Sequence, residues 1–156
     1  MKYLIGIDIG TSGTKSVLFD TDGNVIASSM KEYPLHQPQN GWAEQVPEDW
    51  WQAFICGVKE LIKDVDASKI AGIGAGGQMH GLVVLDENDS VIRPAILWND
   101  GRTDKETAWL NEVFGKEKLS QLTANIAFAG FTAPKILWMK KNEPENFSKI
   151  SKIMLP

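Results

Sequence analysis

A chain of 156 residues, 43% apolar and carrying a net charge of −4, holds about one domain's worth of material and enough apolar residues for a core. Its lysines and arginines are scattered rather than massed, which excludes a general nucleic-acid surface and a polybasic membrane anchor. The single cysteine, Cys56, excludes an internal disulfide, and the opening run MKYLIGIDIG is too short and too interrupted for a signal peptide or a membrane span. The expectation is a soluble, cytoplasmic protein with no nucleic-acid or membrane partner and with Cys56 as a buried thiol.

The near-continuous apolar run at 3–8, YLIGID, predicts a central strand. A Gly/Ser/Thr turn follows at 9–14, then a second strand at 15–20. Thr21-Asp22-Gly23-Asn24 is a hairpin signal, because Asp-Gly and Gly-Asn suit turn positions of positive φ. A third strand at 25–33 completes a three-strand antiparallel meander. Residues 34–46 read as irregular. A helix begins near Pro47 or Glu48, with Trp50, Trp51, Phe54, Ile55, Val58, Leu61 and Ile62 as its core-facing stripe.

Residues 70–76, IAGIGAG, form a strand of small residues that lets backbone or ligand approach closely. Strands follow at 82–86 and within 95–100. Helices are expected at about 103–114, 116–122 and 133–142, with Pro134 in the first turn of the last and Pro144 stopping or kinking it. The chain closes on a strand at 150–155 that reads as buried, so the expectation is a polypeptide cut from a longer one. Strands first and α/β alternation afterwards predict an α/β domain with a mixed sheet, incomplete at its C-terminus, without repeats or linkers.

Two constellations carry chemistry. In Asp8-Ile9-Gly10-Thr11-Ser12-Gly13-Thr14-Lys15, Gly10 and Gly13 let the backbone turn and aim N–H groups at a ligand, while Thr11 and Ser12 add hydroxyl donors. Lys15 either adds positive charge or, as the start of a strand, points elsewhere. Asp8 can hold Mg²⁺ directly or through water. Donors on phosphate oxygens together with a metal are what phosphoryl transfer requires. The segment is not a P-loop, because it joins two strands and lacks GxxxxGK[ST]. The plain alternative is a Gly-rich hairpin with a polar lining.

In the second constellation, Gln78 and His80 can hydrogen-bond a polyol and Met79 can wall it. The alternative for His80 is a structural hydrogen bond near a strand end. Trp98 can stack on the C–H face of a sugar, and Asn99 and Asp100 can hold vicinal hydroxyls. Asp100 can equally be a solvated loop acid capping the helix that follows. Arg102 either pairs with Asp100 or contacts the substrate.

The segment DxGT[ST]xx[KR] after an apolar strand resembles the first phosphate loop of the actin-like ATPase superfamily, whose domain is ribonuclease H-like. The runs IGIDIGTSGTK, GWAEQVPEDWW, IGAGGQMHGLVVLDENDSVIRPAILWNDGRT and AGFTAPKILWMKKNEPENFSKISKIMLP resemble, over essentially all 156 residues, the xylulose-specific members of the FGGY carbohydrate kinase family. GQMHG with the later LWND is the more specific signature, since glycerol- and gluconate-directed members differ there.

The resemblance implies two actin-like domains around a cleft, with residues 1–156 as the N-terminal part of the first. It implies ATP and Mg²⁺ as cofactors, with Asp8 and Thr11 at the metal and transferring phosphate. Met79, His80, Trp98, Asn99 and Asp100 are then expected at the sugar, with Gln78 and Arg102 as the further substrate-binding candidates read from the residues. The implied reaction moves the γ-phosphate of ATP to the C5 hydroxyl of D-xylulose. The family's general-base Asp is expected beyond Pro156, so the chain alone is expected to be inactive, with self-association through exposed surface. The alternatives are a family kinase for another ketose or polyol, such as ribulose, and a non-catalytic nucleotide- or sugar-binding fragment.

Overall fold

A computed structural model describes Met1–Pro156. The chain forms two compact units, one from residues Met1–Leu35 and Pro47–Gln78 and the other from His36–Val46 and Met79–Pro156.

The first unit is a four-stranded sheet with one helix. Strands β1 (Tyr3–Ile9), β2 (Gly13–Asp20) and β3 (Val25–Glu32) form the antiparallel meander, and β5 (Ile70–Gly77) lies parallel to β1, in the order β3-β2-β1-β5. The mixed sheet with a central β1 agrees with the sequence expectation. The hairpin at 21–24 is held by Asp20, whose carboxylate accepts the Asp22 and Asn24 N–H groups at 2.9 and 2.8 Å.

Alternation along β1 sends Ile5 and Ile7 to one face, where they pack with Leu18 and with Leu61 of helix α1 (Pro47–Leu61). The buried positions of α1 are Trp50, Ala53, Gly57 and Leu61. Trp51 does not belong to the stripe: it is 54% exposed and stacks on Phe54 at 5.3 Å between ring centroids. Adjacent residues on a helix point about 100° apart, so two neighbouring tryptophans cannot both face the sheet. Cys56 is also off the stripe and exposed, which corrects the expectation of a buried thiol.

The second unit is built from short pieces. Strand β4 (Glu44–Gln45) pairs with β7 (Ala95–Ile96), and β6 (Val83–Leu85) pairs with β8 (Lys152–Met154). Helices α2 (Asp104–Val113), α3 (Lys116–Thr123) and α4 (Thr132–Asn142) fall where expected. Leu82, Val84, Ile96, Trp138 and Met139 form the core, with Trp42 set edge-on to Trp138 at 5.3 Å.

Three expectations change here. Strand β4 interrupts the segment expected to be irregular. Pro144 stops α4 and then opens a fifth helix, α5 (Pro144–Ser148), because a proline at the first helical position loses no helical bond. The final strand is exposed rather than buried, since β8 is paired through β6 on one side only. No helix is long and apolar enough to cross a membrane.

Candidate functional site

The residues singled out in the sequence divide between the two units. In the first, Asp8 comes near the end of β1 and points away from Ile5 and Ile7, so it is exposed on the sheet face that α1 leaves uncovered. Its cross-strand partner is Lys15 on β2, and its neighbour on β5 is Gly76. Directly opposed residues present their side chains to the same face, so Asp8 and Lys15 share this platform. A side chain at Gly74 or Gly76 would meet nothing within 4 Å, so the small-residue strand leaves open space beside the carboxylate.

The turn at 10–12 is braced from within the unit. The Gly10 N–H donates to the Gly13 carbonyl at 3.0 Å. The Tyr33 hydroxyl donates to the Gly10 carbonyl at 2.6 Å. Burial pushes the Tyr33 hydroxyl's pKa up, and the charge of Asp8 adds to that against a hydrogen bond from Thr14, so Tyr33 remains a donor. The Gln78 N–H reaches the Ile9 carbonyl at 2.8 Å, its side-chain amide lies 3.4 Å from the Gly10 carbonyl, and its amide oxygen accepts from Thr11 at 3.1 Å. Gln78, expected at the sugar, is therefore engaged with the loop. Gly13 is required by contact: a Cβ there would lie 2.6 Å from the Lys31 carbonyl oxygen.

One exposed carboxylate with open space beside it fits a Mg²⁺ ion that takes most of its oxygens from phosphates and water. No cluster of three or more metal-ligating side chains stands anywhere in the chain. A protein-only metal cage is thus not what the residues offer.

In the second unit Met79 and Trp98 are 66% and 49% exposed, and Asn99 beside Trp98 is exposed as well. His80 has a left-handed backbone, φ +63°, uncommon for a residue with a side chain. Its ring stacks on Phe131 at 4.2 Å and 26°, and Phe131 in turn meets Phe128 edge-on at 5.2 Å. The His80 carbonyl accepts the Lys135 ammonium at 2.7 Å and the Thr132 hydroxyl at 3.3 Å.

Asp100 and Arg102 are placed otherwise than a solvated loop pair. Asp100 is 2% exposed. Its carboxylate accepts the Ala43 N–H at 2.6 Å, the Arg102 N–H and Nε at 2.9 Å each, and Arg102 Nη2 at 2.7 Å. Arg102 also pairs with Glu44 at 2.7 Å and lies 3.7 Å from the Trp42 ring centroid. Arg93 extends the network to Glu44 and Glu143. Every oxygen of Asp100 is engaged, so this pair fastens the turn that presents Trp98 and Asn99.

Sequence reasoning did not single out Tyr33, Phe131 or Lys135. Tyr33 had no signal, because its partner is a backbone carbonyl 23 residues away. Phe131 and Lys135 lie in the quoted run AGFTAPK, but no spacing tied them to His80.

A mixed sheet of this order with flanking helices is the fold of the actin-type ATPases. The description of the FGGY family of carbohydrate kinases, N-terminal domain, matches residues 3–156. The chain belongs to that family. It is 49% identical to a xylulose kinase of Bacillus subtilis, aligning over 100% of this chain and 32% of that protein. The structure of a xylulose kinase from Rhodospirillum rubrum superimposes with a TM-score of 0.94 at 30% identity, over 99% of this chain and 32% of that one. A gluconate kinase from Lactobacillus acidophilus superimposes with a TM-score of 0.91 at 32% identity, over 98% and 31%. The chain spans about a third of the length of the curated relatives it matches. The fold is therefore shared by kinases named for different sugars, and the choice among sugars rests on side chains.

Proposed function

We propose that residues 1–156 are the N-terminal part of the first domain of an ATP- and Mg²⁺-dependent kinase that converts D-xylulose to D-xylulose 5-phosphate. The observation that carries the reading is the similarity to xylulose kinases along the whole chain. In GQMHG Met79 is exposed, and in LWND Trp98 and Asn99 are exposed while Asp100 is buried and paired with Arg102.

In this reading the Gly10–Gly13 backbone and the Thr11 and Ser12 hydroxyls hold phosphate oxygens, Lys15 adds charge on the same face, and Asp8 holds the metal directly or through water. Bound Mg²⁺ supplies charge neutralisation on the phosphates. Trp98 stacks on the C–H face of the sugar, Met79 walls it, and His80 and Asn99 hydrogen-bond its hydroxyls. The γ-phosphoryl group passes to the C5 oxygen, which loses its proton to a base. Asp100 is not that base, because its oxygens are engaged by Arg102 and Ala43. We assign the base to an Asp outside these residues, so the chain alone turns over little or no ATP, and we place the protein in the cytoplasm. ADP formation by this chain that depends on D-xylulose would overturn the assignment of the base.

The test of the substrate is a ligand-detected NMR titration with D-xylulose, with L-ribulose and glycerol as competitors. Selective D-xylulose binding supports the reading. Preference for L-ribulose or glycerol turns it to another family substrate.

A further inference from the structure

Lys135 is 0% exposed, and lysine is among the residues least often found fully buried. Burying an ammonium carries a desolvation cost, and a methionine of similar reach would fill the space without it. Its Nζ donates to the His80 carbonyl at 2.7 Å and to the Gly130 carbonyl at 2.6 Å. Both carbonyls belong to irregular segments with no sheet or helix partner to bind them, so each needs a donor.

Both segments border residues of the proposed sugar site. One carries Met79 and His80. The other, 127–131, lies so close to Trp98 that a Cβ at Gly130 would collide with the Trp98 carbonyl oxygen. The same segment is anchored at Ala129 by the Thr103 hydroxyl, at 2.9 Å, and at Ala127 by Asn111, at 3.0 Å. It delivers Phe131 onto the His80 ring. The left-handed backbone at His80 is strained for a residue with a side chain and persists only where surrounding contacts impose it. Two donors on its carbonyl, Lys135 and Thr132, are such contacts.

We propose that Lys135 is a positioning residue of the sugar site: by joining the His80 and Gly130 carbonyls it imposes the turn at His80 and the His80–Phe131 stack against which the sugar is held. The proposal rests on the sugar-site reading above. Burial lowers the Lys135 pKa to about 8, against the nearby Asp100 charge, which raises it; Arg102 lowers it further.

The test uses this chain with Lys135→Met and Lys135→Arg, read by the ¹H–¹³C resonances of the His80 ring and by D-xylulose titration. Phe131→Leu identifies the ring-current part of the His80 shift. The expected result is a folded Lys135→Met protein whose His80 resonances lose most of that part and whose D-xylulose affinity falls roughly tenfold. Lys135→Arg keeps the cation but exchanges its compact ammonium for a planar head; it moves both readouts part of the way, and decides the matter if Lys135→Met does not fold. A lower melting temperature with His80 resonances and affinity unchanged would reduce Lys135 to a structural residue and overturn the proposal. Absence of D-xylulose binding in the unsubstituted protein would sink the substrate reading, while the His80 resonances would still judge the role of Lys135.

Discussion

The turn after β1 and the turn after β7 both carry polar residues that sequence alone marks for ligand contact, but the chain treats them in opposite ways. At the first, Asp8 and Lys15 stand exposed on an open sheet face beside a strand of glycines. At the second, Asp100 and Arg102 are buried and engaged with each other, with Glu44 and with backbone, and the exposed residues are their neighbours Trp98 and Asn99. The first turn leaves its charges exposed and open to a ligand. The second uses its charges to hold a presenting turn rigid. A charged residue in a ligand-binding motif is thus ambiguous until its partners are known.

This contrast makes cutting the buried pair the largest expected effect. Asp100→Ala leaves Arg102 without its bidentate partner and should cost about 3–5 kcal/mol. A urea denaturation series measures it, and a loss below about 1 kcal/mol would place Asp100 among the offered charges instead. Gly13→Ala comes next. It puts a Cβ against the Lys31 carbonyl and should cost about 1–3 kcal/mol, read in the same way, because backbone rather than a flexible side chain must yield.

The pH dependence gives a smaller effect with a definite sign. Folded Lys135 titrates at about 8, below its ordinary 10.5, so between these values the unfolded chain binds more protons than the folded one. The contribution of Lys135 therefore makes stability rise with pH across that window, with the cost of burying the ammonium fully present below it. Urea midpoints at pH 7.5 and 9.5 should show this rise, and Lys135→Met should abolish it.

The smallest expected stability effect is at Asp8. Asp8→Asn changes an exposed side chain and should shift stability by less than about 0.5 kcal/mol. On the proposed function, the same substitution in a full-length kinase should lower turnover by roughly a hundredfold, followed by ADP release. A large loss of stability with little loss of turnover would reverse the contrast between the two turns.

Much of the first unit was legible from sequence. The meander follows from alternating apolar runs and an Asp-Gly hairpin, which are local signals, and the parallel addition of β5 agrees with a run of small residues between a helix and a loop. The second unit was less legible. Its strands are two or three residues long, too short for a period to show, and its polar core depends on partners tens of residues apart. Trp51 was misplaced because a stripe of large residues was read without its small members Ala53 and Gly57, and Cys56 because burial was expected from its residue type rather than from its position on the helix.

By itself, then, the sequence determined the class of sheet, the Gly/Ser/Thr turn after its first strand and the motifs of a carbohydrate kinase, because these are written in contiguous residues. Only the tertiary structure decided that Gln78 and Tyr33 brace the loop, that Asp100 and Arg102 form a buried scaffold, and that Lys135 joins the backbones of His80 and Gly130. Hydrogen bonds to backbone carbonyls leave no pattern in the chain, since every residue has a carbonyl and only folding selects which one a side chain meets.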